Sequence, residues 1–211
     1  MSSSGIPILD QLVDDLTENS FAIVDDFLSP VEVSSLSQLL ADQFDAGDFK
    51  LAGIGNMQNF NVDKQIRNDH ISWLDPESTD PGIVNLFHKI DGVVSYLNRT
   101  CFLALSEYEF HFARYQPGSF FKRHLDAFKT DDSRKISMVM YLNENWKAEE
   151  GGAIHLYVPG PDGTETTKVV YPIAGRLVCF RSDILEHEVI PATRARMSIT
   201  GWLKTRPVMP F

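Results

Sequence analysis

From Glu107 to Leu203 the chain alternates apolar and polar residues with a period of two, and turn signals break that alternation at short intervals. Period two is the signature of strands with one face buried, because successive side chains point to opposite faces. The candidate strands are Glu107–Tyr115, Phe120–His124, Lys135–Leu142, Ala153–Tyr157, Lys168–Tyr171, Arg176–Phe180, Glu186–Ile190 and Ala195–Leu203. Pro117-Gly118, Asn143-Glu144-Asn145, Gly151-Gly152, Pro159 to Gly163 and Ala174-Gly175 separate them. Many short antiparallel strands at this spacing predict a mainly β fold, a double-sheet sandwich or jelly roll.

The first half reads differently. Ile8, Leu9, Leu12, Val13 and Leu16 recur at helical spacing and predict a helix from about Pro7 to Glu18. Phe21–Val24 reads as a buried strand. Ser29-Pro30 is a helix start, serine at the N-cap and proline in the first turn, and Gly47 is its stop. A further helix is expected over Pro81–Asn98, with Ile83, Val84, Phe87, Ile90, Val94 and Leu97 as its apolar stripe. Arg67–Trp73 reads as a strand, and Ala52–Lys64, rich in Gly and Asn, as a long loop of the kind that is usually functional or disordered. Helices confined to the first half would buttress one sheet. With no linker or repeat, residues 1–211 form one expected domain, helical support over about 1–100 and β core over about 105–204.

Composition narrows the function. A net charge of -10 argues against nucleic acid, which needs basic surface to replace phosphate counterions. Cys101 and Cys179 stand in no CxxC or zinc-like spacing and read as reduced thiols. The N-terminus lacks a basic segment followed by an apolar run, and no stretch approaches the ~20 apolar residues of a membrane span. A cytoplasmic protein without membrane or nucleic-acid partners is the expectation.

His124-Leu125-Asp126 carries the chemistry. Side chains two apart on a strand share a face, so an imidazole and a carboxylate would enter one cavity together. A carboxylate aimed into a core is costly unless it is paired or bound to metal. The alternative is a surface hairpin with two solvated polar residues. His187, about sixty residues on, is the candidate third ligand; two histidines and one carboxylate make the facial set that leaves positions open on non-haem Fe(II). None of His70, His88, His111 and His155 is followed two residues on by a carboxylate, as His124 is, and they read as ordinary strand or helix-surface residues. Arg196 shares a strand face with Ser198, Thr200 and Trp202, and its planar fork suits the carboxylate of an acidic co-substrate. Arg194 has the same parity and competes for that role, although it lies nearer the turn. Tyr141 and Tyr115 are either neutral donors to the site or core residues with satisfied hydroxyls.

Tyr115-x-x-Gly118-x-x-Phe121-x-x-His124-x-Asp126, the distant His187 and Arg196 nine residues later resemble the Fe(II)- and 2-oxoglutarate-dependent prolyl hydroxylases. FAIVDDFLS (21–29), IRNDHISW (66–73), MYLNENW (140–146), Gly151-Gly152 and HEVIP (187–191) resemble its oxygen-sensing branch, the chain being similar to a compact prokaryotic member. The resemblance implies a double-stranded β-helix (jelly-roll) core and His124, Asp126 and His187 as iron ligands. It implies Arg196 and Tyr141 on the distal carboxylate of 2-oxoglutarate, and Tyr115 beside metal and co-substrate. It further implies O2 as co-substrate, ascorbate as reductant, and hydroxylation of a proline in a protein with release of succinate and CO2. Halogenating relatives lack the carboxylate, so Asp126 implies hydroxylation. Asn59, Arg67 and Asp69 match the segment that closes over the peptide. Elongation factor Tu is the substrate suggested by analogy. The family's C-terminal helix is expected to be short or missing here, and its N-terminal zinc module absent. The rival readings are a 2-oxoglutarate hydroxylase of small molecules or another residue type, and a metal-binding jelly-roll sensor without turnover.

Overall fold

The computed structural model describes residues 5–53, 63, 65–127 and 132–206. The chain runs through α1 (Gly5–Asn19), β1 (Phe21–Val24), α2 (Pro30–Ala46), β2 (Lys50–Leu51), β3 (His70–Trp73) and α3 (Pro81–Cys101). It continues through β4 (Glu107–Tyr115), β5 (Phe121–His124), β6 (Arg134–Tyr141), a 3-10 turn (Ala148–Glu150) and β7 (Ile154–Pro159). Then follow β8 (Glu165–Val170), β9 (Leu177–Arg181), β10 (Glu186–Val189) and β11 (Arg196–Lys204).

Two antiparallel sheets result, a large one ordered β1-β9-β6-β11-β4-β3-β2 and a small one ordered β5-β10-β7-β8. This is the jelly-roll architecture that the period-two pattern predicts. On β6 the two faces separate cleanly. Ile136, Met138 and Met140 join the core under the helices, while Val139 and Tyr141 join the core between the sheets. The helices cover only the first of these faces, through Leu12, Leu36, Leu40, Leu86, Ile90 and Leu97. Emptying one such position, as in Leu40→Ala, costs about 2–5 kcal/mol. The uncovered face of the large sheet and the inner face of the small one enclose the cavity.

Local chemistry sets the helix ends. Ser29 and Glu32 close a capping box at the start of α2, and Gly47 ends it with a φ of +85°, where a side chain would be strained. The Asp80 side chain accepts from the amides of Gly82 and Ile83 at the start of α3. That helix runs on to Cys101, past the expected Asn98. The strand expected over Arg67–Trp73 begins only at His70. Arg67 and Asp69 turn inward to pair with each other, at 2.8 and 2.6 Å, and Arg67 keeps a single isolated bridge to Phe121. The strand expected at Lys168–Tyr171 instead starts at Glu165, because Glu165 to Lys168 ladder fully onto β7. Its polar side chains conceal it in a hydropathy pattern, since β8 is an exposed sheet edge.

Candidate active site

β5 and β10 lie side by side, and their register places His187 directly opposite His124. The two imidazoles are 4.2 Å apart between centroids; Phe121 stacks on His124 and Phe180 meets His187 edge-on. Asp126 lies beyond the end of β5, in a bend, and not within the strand as its spacing suggested. It still shares the side of His124, because the ladder stops only after the first residue of the pair. The three donor groups lie within 4.8 Å of one another.

Proton positions follow from the neighbours. His124 Nδ1 is 2.7 Å from the carbonyl of Lys122 and His187 Nδ1 is 3.3 Å from that of Leu185. A carbonyl only accepts, so each Nδ1 carries the hydrogen and each Nε2 is left as a bare acceptor. Those Nε2 atoms stand 3.4 and 3.6 Å from the oxygens of Asp126. Burial pulls the His187 imidazolium down to about 4, so the ring is neutral near pH 7. Burial also penalises the Asp126 anion, but the facing imidazoles when protonated, with the Ser137 hydroxyl, outweigh that penalty and hold the carboxyl below the usual carboxylate range. Two ring nitrogens and a carboxylate thus converge on one point, and His124 Nε2 is buried with no hydrogen-bond partner among the described residues. A divalent cation resolves that arrangement, and backbone carbonyls orienting both rings are the usual support of metal-binding imidazoles. The donor set fits non-haem Fe(II).

Arg196 opens β11 opposite Tyr115 and is 2% exposed. Its Nε donates to the carbonyl of Gly152 at 3.0 Å and an Nη atom to the Tyr141 hydroxyl at 3.3 Å. The guanidinium lies 4.9 Å from the ring centroids of Tyr115 and Tyr141. No carboxylate pairs with it among the described residues. A buried cation without an anion is costly, so this pocket suits an acidic ligand. Burial raises the pKa of both tyrosines, leaving their hydroxyls protonated at neutral pH. Arg196 and the three donors line the same cavity.

A sequence profile of the 2OG-Fe(II) oxygenase superfamily matches residues 110–204. The crystal structure of a Pseudomonas putida prolyl-4-hydroxylase is 36% identical and superposes with a TM-score of 0.83, covering 94% of this chain and 100% of that one. This chain belongs to the 2-oxoglutarate- and Fe(II)-dependent prolyl hydroxylases. A Trichoplax adhaerens prolyl hydroxylase, solved with a peptide fragment of the hypoxia-inducible factor oxygen degradation domain, is 25% identical with a TM-score of 0.85, over 97% of this chain and 94% of that one. The hypoxia-inducible factor prolyl hydroxylase of Caenorhabditis elegans is 30% identical over 92% of this chain and 28% of its own length. The chain spans about half or less of the first curated relatives it matches. Proteins of this family use Fe(II), 2-oxoglutarate and O2.

The remaining site candidates separate. Arg67 lines the cavity, stacks on Phe121 and is locked to the fully buried Asp69. Asn59 lies outside the described residues, as does most of the Gly53–Lys64 segment. Arg194 turns away, pairing with Glu150 at 2.9 Å and stacking on Trp146, which leaves Arg196 as the inward arginine. His111 lies on β4, as a strand residue should. It is 2% exposed, with rings of Trp73 and Trp202 packed on it, and burial pulls its pKa down to about 3. Thr200 and Trp202 also line the cavity, and their shared parity with Arg196 is the signal that marks them. Gly152 and Ser137 are further contributors. The Gly151-Gly152 pair hinted at the first, whereas only the Tyr141 parity on β6 points to the second.

Proposed function

We propose that this chain hydroxylates a prolyl residue in a protein, binding Fe(II) through His124, Asp126 and His187 and 2-oxoglutarate through Arg196 and Tyr141. The observation that carries this reading is a buried guanidinium, without a carboxylate partner among the described residues, sharing one cavity with His124, Asp126 and His187. A metal-binding protein without turnover has no use for that arginine. When bound, Fe(II) and 2-oxoglutarate supply an oxidative decarboxylation in which O2 gives one oxygen to succinate and one to the substrate hydroxyl, with loss of CO2.

The chain's own groups do the rest. His124, Asp126 and His187 would hold the metal, each offering one donor atom. Arg196 would neutralise the distal carboxylate of 2-oxoglutarate, with the Tyr141 hydroxyl as a further donor to it and Tyr115 beside it. Val139, Ile154 and Val189 form apolar wall that keeps water from the reacting groups. Arg67, fixed by Asp69 at the rim, faces the incoming peptide. Residues 1–211 act as one dioxygenase domain, since helices and β core share the large sheet.

Similarity to the hypoxia-inducible factor hydroxylases supports a protein substrate and an oxygen-sensing role; elongation factor Tu is the candidate we favour for a prokaryotic setting. The test is incubation of enzyme, Fe(II), 2-oxoglutarate and ascorbate with candidate proteins, followed by mass spectrometry for a prolyl gain of one oxygen. Stoichiometric succinate and hydroxyproline support the reading. Succinate with no hydroxyproline in any protein would favour a small-molecule substrate, and no succinate would leave a sensor.

A further inference from the structure

Behind the candidate metal ligands lies a short relay of hydroxyls. Ser137 on β6 and Ser182 in the turn after β9 are both fully buried. Ser137 Oγ is 2.7 Å from Asp126 Oδ2 and 2.8 Å from Ser182 Oγ. Each serine has one proton to give, and a carboxylate acting as a ligand is ionised and only accepts. Ser137 therefore donates to Asp126, its remaining capacity toward Ser182 is as an acceptor, and Ser182 must donate. The direction is fixed, from Ser182 through Ser137 to Asp126.

The backbone of Ser182 is pinned as well. Its amide donates to the carbonyl of Lys135, and its carbonyl accepts from the amide of Ala127, both at 3.1 Å. Ser182 is thus the joint at which the Asp126 bend, the start of β6 and the turn leading to His187 meet. An unsupported carboxylate beyond a strand end is free to rotate. Here one oxygen is committed to Ser137, and the plane of the group is set by its partners.

We infer that Ser137 and Ser182 are positioning residues for the metal, acting in series to fix the rotation of the Asp126 carboxylate. This rests on the ligand assignment proposed above. Hydrogen-bond partners of metal ligands typically contribute 10–100-fold in affinity. A series arrangement adds a sharper requirement: without Ser137, Ser182 has no path to Asp126, so the two contributions cannot add.

The experiment is calorimetric titration of the metal-free protein with Mn2+, for wild type, Ser137→Ala, Ser182→Ala and the double variant, with thermal unfolding of each metal-free form. Ser137→Ala is expected to weaken Mn2+ binding by roughly 10–100-fold, Ser182→Ala by less, and the double variant no more than Ser137→Ala. Ser137→Thr, which keeps the hydroxyl, is expected to restore binding. Loss of folding would lower the unfolding temperature, whereas the positioning role lowers affinity in a protein that melts normally. If Ser137→Ala does not fold, Ser182→Ala carries the test alone, and binding as tight as wild type overturns the relay. So does a double variant whose loss is the sum of the single losses, or Ser137→Ala with wild-type affinity. A wild-type protein that does not bind Mn2+ overturns the ligand assignment, and the relay with it.

Discussion

Gly152 and Arg196 are in contact across the site: the Gly152 carbonyl accepts from Arg196 Nε at 3.0 Å, and a Cβ on Gly152 would stand 3.5 Å from Arg196 Cδ and 2.8 Å from the Trp146 ring. The glycine also has a φ of +70°, where an L side chain is strained by about 1–3 kcal/mol. The expected consequence of Gly152→Ala is a displaced arginine: weaker 2-oxoglutarate binding by calorimetry and a lower unfolding temperature. Intact 2-oxoglutarate affinity in the alanine variant would show that the contact does not position Arg196.

Arg196→Lys keeps the charge and removes the planar fork. A charged hydrogen bond contributes roughly 1.5–3 kcal/mol net, so one lost contact corresponds to a 10–100-fold rise in the 2-oxoglutarate dissociation constant. Mn2+ affinity is expected to stay near that of the wild type, because Arg196 touches none of the three donors. Titrating each ligand separately checks the split.

His124, Asp126, His187 and Arg196 were legible because each follows a strand period that geometry enforces, even though Asp126 falls just past the ladder. Tyr115 and Tyr141 were ambiguous by parity alone, since the core between the sheets and the cavity share one face of the large sheet. Ser182 was not legible. It sits in a turn, where no period relates one side chain to the next, and its partner Ser137 is 45 residues away. The full burial of His111 was equally hidden, because it depends on β3 pairing with β4 so that Trp73 lies opposite His111, and strand order leaves no mark in a hydropathy pattern. Strand edges misled for a simpler reason: β8 is solvated, so its ladder leaves no hydropathy signature.

Saturating Mn2+ is expected to stabilise the fold. At a concentration about 100 times the dissociation constant, a ligand that binds only the native state contributes about 2.7 kcal/mol. For a chain of this size that corresponds to a rise of roughly 5–11 °C in Tm. His187→Ala and Asp126→Ala are each expected to abolish the rise, and a chelator to reverse it in the wild type. A full shift in either variant, measured by scanning calorimetry, would remove that residue from the ligand set.

The metal-free protein should lose stability in mild acid, and two buried histidines say where. Burial lowers His111 to about 3 and His187 to about 4, against about 6.5 in an unfolded chain. Between about 6.5 and 4 the unfolded state therefore binds more protons than the native one. The sign follows: stability is present above 6.5 and falls as pH drops through that window. Each histidine contributes up to about 1.4 kcal/mol per pH unit. Asp126 adds a loss in the same direction only below the ordinary carboxylate range. His111→Phe keeps an aromatic ring between Trp73 and Trp202 while removing one titrating group. Urea unfolding from pH 7 to pH 4.5 should therefore show a shallower slope in the variant than in the wild type. An unchanged slope would mean that His111 titrates normally in the folded protein, and that its enclosure by the two tryptophans opens to water.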